Sequence, residues 1–272
     1  MATSINGREL RLRFVPANEV LLHEETDPLR VDRLAAAIDA LGVLKNPPIV
    51  APTSDGRYVV LDGATRTTVL KMKGASDIIV QVVPYSDPGV DLEAWYHVLP
   101  DVEATNVLDF ARTHTEMAHT ASVDEARSAL DERSAIAAIV NDDATAMLVH
   151  GNASTLRQLV KVYGGAGEIF RIVHDDLVDT VRRMDRCPSV VMFPTFTPSE
   201  IDNYARSNEL LPAGITRHLI PGRALNINVG LEHFTSTKPL AEKNEWLNEW
   251  LTSKIMAKKV RYYHEPVFVF DD

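Results

Sequence analysis

Val59-Val60-Leu61-Asp62-Gly63-Ala64-Thr65-Arg66-Thr67-Thr68-Val69-Leu70 is the stretch on which the fold turns. A β-branched, apolar run stops at Asp-Gly and passes straight into a segment with helical spacing. Glycine lets a ligand approach the backbone, and the first N–H groups of a helix attract anions. Arg66 adds a planar cationic fork within the same turn. These features make Asp62, Gly63, Ala64, Thr65 and Arg66 a candidate cradle for nucleotide phosphates. Asp-Gly is also an ordinary turn dipeptide, and the stretch alone leaves that reading open.

Working outward, residues 1–85 read as one compact α/β unit. Leu12 to Val15 and Glu19 to Leu22 are short strands around Pro16. Pro28 opens a helix through Ala40, with Leu34, Ile38 and Leu41 on one face and Gly42 at its end. Pro47-Pro48 breaks the chain before the strand Ile49 to Ala51. Asp55-Gly56 makes a hairpin turn into Tyr58 to Leu61. A helix from about Thr65 to Lys73 stops at Gly74, and Ile78 to Val83 returns as a strand.

The texture changes after Tyr85-Ser86-Asp87-Pro88-Gly89, which places a domain boundary there. Leu92 to Val98 reads as a strand. Ser122 with Glu125, and Thr197-Pro198-Ser199-Glu200, are capping boxes that start helices through Leu130 and to about Ser207. Ile136 to Asn141 and Ala146 to His150 form a hairpin turning at Asn141-Asp142-Asp143. Helices are expected over about Ser154 to Tyr163 and Glu168 to Arg183, and a strand over Val190 to Phe196. From Lys238 onward, Trp246, Leu247, Trp250, Leu251 and Ile255 recur at helical spacing, packing on the body or on a second copy. Pro266 to Phe270 reads as a terminal strand. The division expected is therefore 1–85, 86–234 and a C-terminal piece 235–272.

Composition excludes several classes. The chain has 272 residues, 45% of them hydrophobic and 24% charged, which suits a globular protein. Its formal net charge of −10 repels nucleic acid. The dense basic run, Lys254 to Arg261, reads as a solvated helix face. The single cysteine, Cys187, permits no intramolecular disulfide, and no Cys/His set has zinc spacing, so no protein metal site is expected. Met1 to Leu12 has no apolar segment of the signal-peptide kind, and no run approaches the ~20 residues needed to span a bilayer. The expected setting is cytoplasmic.

Two polar clusters stand beside the Asp62 turn. His23-Glu24-Glu25 follows Leu21-Leu22, and a glutamate at the end of a buried strand can act as a general base. Thr216-Arg217-His218 lies between the bends at Gly214 and Pro221, with Asn226-Ile227-Asn228-Val229 behind it. A guanidinium binds a carboxylate bidentately, and hydroxyl and imidazole complete the recognition of a small zwitterion. Together the three clusters have the parts of phosphoryl transfer to a hydroxyl: a phosphate cradle, a base and an acceptor clamp. The chain has no GxxxxGK[ST] loop and no protein-kinase motif set.

Residues 1–85 resemble the ParB/sulfiredoxin-like fold through the Val-Pro strand, the Leu-rich helix ending in Gly, Asn46-Pro47-Pro48-Ile49-Val50 and Val60-Leu61-Asp62-Gly63-Ala64-Thr65-Arg66. More narrowly, the chain resembles the free L-serine kinases built on that fold, including a siderophore-linked branch that makes O-phospho-L-serine. Leu22-His23-Glu24, Ala94-Trp95-Tyr96, Thr216-Arg217-His218-Leu219-Ile220-Pro221 and Ile227-Asn228-Val229 carry this match, in the family's order. The resemblance implies an α/β (α+β) protein with a second α/β domain and a cleft between the two. It implies Glu24 as catalytic base, Asp62, Gly63, Ala64, Thr65 and Arg66 at the nucleotide, and Trp95, Thr216, Arg217 and His218 around L-serine. Archaeal members carry two histidines where Ala64 and Thr65 stand here, which leaves the donor open between ATP and ADP; the resemblance to the bacterial branch favours ATP, and Mg²⁺ is expected on the phosphates. Glu25 stays open as an alternative to Glu24.

Two other classes are carried alongside. One is a ParB-like, nucleotide-responsive DNA-binding regulator, which would need a helix-turn-helix and a basic face. The other is a non-catalytic sensor of an amino acid or haem, for which His97, His114, His119 or His150 would be the axial ligand. A homodimer is a further open expectation.

Overall fold

The computed structural model describes residues 3–5, 8–99, 101–114, 120–141, 145–164, 169–173 and 189–263. The chain divides into two compact units. The first holds the described residues of Met1–Leu22, Thr26–Asp91 and Leu219–Asp272; the second holds His23–Glu25 and Leu92–His218. The linear scheme 1–85, 86–234, 235–272 differs from this division. The described part of the C-terminal piece groups with the first unit, and a three-residue insert at His23 groups with the second.

The first unit is built on a five-stranded sheet in the order Leu12–Pro16, Asp77–Val82, Ile49–Pro52, Tyr58–Asp62, Val20–Leu21. Antiparallel pairs alternate with parallel ones across it. Ile49–Pro52 and Tyr58–Asp62 form the expected hairpin, its turn fixed by Asp55, which accepts from the Thr53 hydroxyl and the Arg57 guanidinium. The sheet's apolar residues Phe14, Val50, Ile78, Ile79 and Val80 are fully buried, as a sheet covered by helices requires.

The helix Pro28–Leu41 opens on Asp27, whose carboxylate accepts from Leu29 N–H, with proline at the first turn. It closes on Gly42 at φ +67°, a left-handed cap. Val31 and Ile38 are its buried residues, whereas Leu41 is 62% exposed. The expected Leu34–Ile38–Leu41 stripe therefore fails at its last member: Leu34 and Ile38 pack on the core and Leu41 does not.

The helix Leu240–Met256 packs on the strand Leu12–Pro16 through buried Leu247 and Leu251 and a Phe14–Trp246 ring contact at 6.4 Å. Asn244 bonds both backbone groups of Phe14, at 2.8 and 3.0 Å. The aromatic tail thus covers the body of its own unit.

The second unit contains a six-stranded antiparallel sheet: Thr120–Ser122, Thr145–Val149, Ala137–Val140, Ser189–Met192, Tyr96–Leu99, Phe170–Ile172. Helices Val123–Asp131 and Pro198–Ser207 begin at the two expected capping boxes, both reciprocal. Leu92 to Val98 is two strands in two sheets: Asp91–Ala94 pairs with Thr216–Leu219, a pairing that Trp95 N–H extends by bonding Ile215 C=O at 2.9 Å, and Tyr96–Leu99 belongs to the six-stranded sheet. The helix Asp101–His114 was not anticipated. Cys187, His119, most of the expected helix Glu168 to Arg183, the Asp142-Asp143 turn and the terminal strand lie outside the described residues.

Candidate active site

The Asp62–Arg66 turn is in the first unit, where the strand Tyr58–Asp62 ends and the helix Ala64–Met72 begins. Gly63 is the N-cap, at φ +95°, with no side chain capping the helix. A Cβ at this position would come within 3.0 Å of the Arg66 guanidinium, so glycine is required twice over, by conformation and by space. The first intrahelical acceptor is Gly63 C=O, taken by Thr67 N–H at 2.9 Å. The N–H groups before Thr67 belong to the helix's open first turn.

Arg66 folds back across this turn. It donates to Asp62 Oδ2 at 2.7 Å and to the carbonyls of Asn46 and Pro47 at 3.1 and 3.0 Å. Arg223, from the loop after Pro221, donates to the same Asp62 Oδ2 at 2.9 Å. One carboxylate therefore organises two guanidinium groups. Arg223 escaped sequence reading; a cation directly after Pro221-Gly222 was the available signal.

In the second unit, Glu24 and Thr216 come together from 192 positions apart. Glu24 Oε1 accepts from Thr216 N–H at 2.8 Å and from Thr216 Oγ1–H at 2.6 Å, and Oε2 accepts from Gly214 N–H at 2.9 Å. Because that hydroxyl donates to Glu24, it accepts from His23 Nε2–H at 3.0 Å, which fixes the His23 tautomer. His23 is buried and meets the buried His218 ring edge-on at 5.5 Å. Backbone pairing of His23 and Glu25 with Leu211 holds the segment in place.

The segment between the bends at Gly214 and Pro221 contains a strand, Thr216–Leu219, paired with Asp91–Ala94. Strand alternation turns Thr216 and His218 to the buried side and leaves Arg217 half-buried on the other. Arg217 Nη1 donates to Glu93 Oε2 at 2.7 Å, and its guanidinium lies 4.7 Å from the Trp95 ring centroid. Trp95 and Arg217 thus form one wall. Glu25 points elsewhere, 3.8 Å from Arg157 and 3.9 Å from Lys161.

Beneath this wall, His97 is fully buried. Its Nε2–H donates to Gly214 C=O at 3.0 Å, so Nδ1 accepts from Tyr163 OH at 2.9 Å. Both ring nitrogens are used, which removes His97 from the axial-ligand candidates. Burial pushes its pKa down from 6.5 to about 4, against an opposing contribution from the Gly214 carbonyl. Between those two values the unfolded chain holds the extra proton, so folding stability falls as pH falls through the window. The expected loss is up to about 3 kcal/mol. Urea unfolding of wild type and His97→Gln across that range measures it: the variant starts less stable at neutral pH and declines less steeply.

No protein-family model matches the chain. The ATP-dependent L-serine kinase SbnI of Staphylococcus aureus is 24% identical over 264 residues, 96% of this chain and 97% of that one. Among solved structures, a C-terminally truncated SbnI from Staphylococcus aureus superposes with a TM-score of 0.74, covering 90% of this chain and 97% of that one at 24% identity. A free serine kinase in complex with AMP gives 0.70, covering 82% and 93% at 19% identity. The chain has the fold of the free serine kinases. Within that fold, Glu24 and the Thr216–His218 segment meet in one unit, and the Asp62–Arg66 turn lies in the other. His23, Gly214 and Arg223 are the site's additions to what the sequence suggested. His23 was signalled by its place between Leu22 and Glu24, whereas the Gly214 N–H carried no signal at all. No helix among the described residues is long and apolar enough to cross a membrane.

Proposed function

We propose that this protein is an ATP-dependent kinase of free L-serine, transferring the γ-phosphoryl group to the side-chain hydroxyl and releasing O-phospho-L-serine and ADP. The observation that carries this reading is the Glu24 carboxylate, held by the Gly214 and Thr216 N–H groups and the Thr216 hydroxyl. A carboxylate offers about four acceptor positions. Three donors orient it and leave one lone pair for an incoming alcohol proton, which is the geometry of a general base. Glu25, occupied with Arg157 and Lys161, has no such arrangement. Near-full-length similarity to a protein named as an ATP-dependent L-serine kinase supports the same conclusion.

In this reading the serine hydroxyl gives its proton to Glu24 as its oxygen bonds to the γ-phosphorus, and ADP leaves with the bridging oxygen. Arg217 binds the serine carboxylate against Trp95, and Thr216 and His218 complete the acceptor pocket. Asp62, Gly63, Ala64, Thr65 and Arg66 receive the phosphates, where the open first turn of the helix supplies N–H donors. The unit bearing the Asp62–Arg66 turn handles the nucleotide, and the unit bearing Glu24 and Thr216 handles serine.

Among the described residues no three His, Cys, Asp or Glu side chains gather into a metal cage. Magnesium needs none, since it keeps several waters and is held by substrate phosphates with one or two carboxylates. Asp62, both of whose arginine bonds fall on Oδ2, fits as that carboxylate, and the ion would neutralise charge on the transferred group. The same reading includes a cytoplasmic setting.

The test is nucleotide consumption with L-serine against D-serine, L-threonine or buffer, with ATP and ADP compared as donors and the product identified by phosphorus NMR. Consumption that depends on L-serine and yields a phosphomonoester is the expected outcome; nucleotide loss indifferent to serine would end the reading. Arg217→Ala should raise the KM for serine about 10- to 100-fold, the loss of one charge-assisted contact, with a smaller effect on kcat. Steady-state kinetics in serine read this directly, and Arg217→Lys should rescue little because an ammonium cannot replace the fork.

A further inference from the structure

The first unit contains a cavity of about 560 Å³. That volume lies within the ordinary range of small-molecule sites, roughly 300 to 1,000 Å³. Its wall is partly the sheet edge at Leu12, Val82 and Val83, partly the loop around Arg223, and partly the end of the aromatic tail at Trp250 and Tyr262. Of the residues assigned above to serine or to the phosphate turn, Arg223 alone lines it.

The loop that forms one wall is held in shape. Gln81, itself buried, donates to Gly222 C=O at 2.9 Å and accepts from Ala224 N–H at 2.7 Å. Gly222, at φ +67°, faces Tyr262, whose ring would lie in ordinary contact, 3.5 Å, from a Cβ there. The cavity is thus pre-formed, with the tail seated against the loop.

Its charge runs against that of the chain. Five cationic side chains line it, Arg11, Arg223, Lys254, Lys259 and Arg261, against the two carboxylates Glu9 and Asp87. Arg11 bonds both of those carboxylates, Asp87 at 2.7 Å. Among the described residues no carboxylate is bonded to Lys254, Lys259 or Arg261. Lys254 instead sits 5.4 Å from the Trp250 ring centroid. In a chain of net charge −10, a cavity whose lining mixes apolar side chains such as Leu12, Val82 and Trp250 with an excess of cations favours an anion carrying an apolar body. The basic run Lys254 to Arg261 is therefore more than a solvated helix face: the helix ends at Met256, and Lys259 and Arg261 reach the rim from the segment beyond it.

We propose that this cavity is a second binding site, for a small anion with a flat apolar body, and that its occupancy is relayed to the Asp62–Arg66 turn through Arg223. Arg223 lines the cavity and also donates to Asp62 Oδ2, the oxygen that anchors Arg66. An anion in the cavity competes with Asp62 for that guanidinium. Weakening the Arg223–Asp62 bond leaves Asp62 and Arg66 freer to rearrange, which changes affinity at the turn. The relay, though not the binding site, rests on reading that turn as the phosphate site.

The probe is 8-anilinonaphthalene-1-sulfonate, an aromatic anion that fluoresces when it leaves water, titrated into the full chain. Saturable binding is expected, with energy transfer from tryptophan that drops in Trp250→Phe. The double charge reversal Lys259→Glu/Arg261→Glu, at exposed positions, should weaken dye binding at least about tenfold, the loss of charge-assisted contacts, with the same unfolding temperature. The uncharged analogue N-phenyl-1-naphthylamine should be indifferent to that reversal. Dye binding that is non-saturable, or equal in wild type and double variant, overturns the site. ADP affinity, measured by equilibrium dialysis without turnover, should change several-fold when the dye is present in wild type but not in the double variant. Dye bound with ADP affinity unchanged overturns the relay. A chain that binds dye but never ADP refutes the phosphate assignment and leaves the cavity site standing.

Discussion

In Glu24→Gln, serine-dependent turnover falls about 10²- to 10⁴-fold, the range a positioned general base supplies, while nucleotide affinity is unchanged. The amide keeps the shape of the side chain and one acceptor oxygen. Its NH₂ must then face either Gly214 N–H or the two Thr216 donors, so one hydrogen-bond donor is left opposing another. That mismatch costs about 1–3 kcal/mol of stability. Measuring the unfolding temperature together with kcat separates the two effects, and a folded variant with wild-type kcat removes Glu24 as the base. Thr216→Val sharpens the result. It deletes the hydroxyl that links His23 to Glu24 but keeps the Thr216 N–H, so turnover should fall by less than in Glu24→Gln.

Lys243→Met should destabilise the first unit by about 3–5 kcal/mol, the penalty for breaking a buried pair by removing one partner. Lys243 Nζ is 2.6 Å from Asp77 Oδ2 and 3.0 Å from Ser76 Oγ, with side-chain exposures of 3% for the lysine and 13% for the aspartate. Its ammonium lies 5.9 Å from the ring centroid of Phe14, the residue that also receives Trp246 and both Asn244 bonds. The pair therefore fixes the tail helix to the start of the interior strand Asp77–Val82. Without the ammonium, the side-chain partner left to the Asp77 carboxylate among the described residues is the Ser76 hydroxyl, at 2.9 Å. Asp77→Asn in the same chain should recover most of the loss, because the uncompensated charge is then gone. Thermal unfolding of the two single variants and the double completes the cycle. A loss below about 1 kcal/mol in Lys243→Met would mean the pair behaves like an exposed one.

Local chemistry was legible without coordinates wherever a few neighbouring residues decide it. The capping boxes Ser122/Glu125 and Thr197/Glu200, the Pro28 start, the Gly42 stop and the Asp55-Gly56 hairpin all satisfy their own backbone groups within four residues. The Asp62-Gly63 turn belongs with them, since a strand can pass into a helix there only with a residue tolerant of positive φ. The helix Asp101–His114 went unread because its opening residues alternate acids with small side chains and present no apolar stripe. The change of sheet at Trp95 went unread for a different reason: the partner of its first half, Thr216–Leu219, lies far along the chain.

The sequence by itself determined which chemistry-bearing residues exist and the turns that present them: Glu24 after an apolar pair, Asp62 through Arg66 at a strand end, and Thr216-Arg217-His218 between two bends. Only the tertiary structure decided which of them act together. Glu24 is oriented by Gly214 and Thr216, Arg217 by Glu93 and Trp95, and Asp62 by Arg66 and Arg223. A hydrogen bond fixes direction only when both partners are placed to within a few tenths of an ångström. For partners nearly 200 residues apart, that placement comes from burying the sheets that carry them, and no local pattern encodes it.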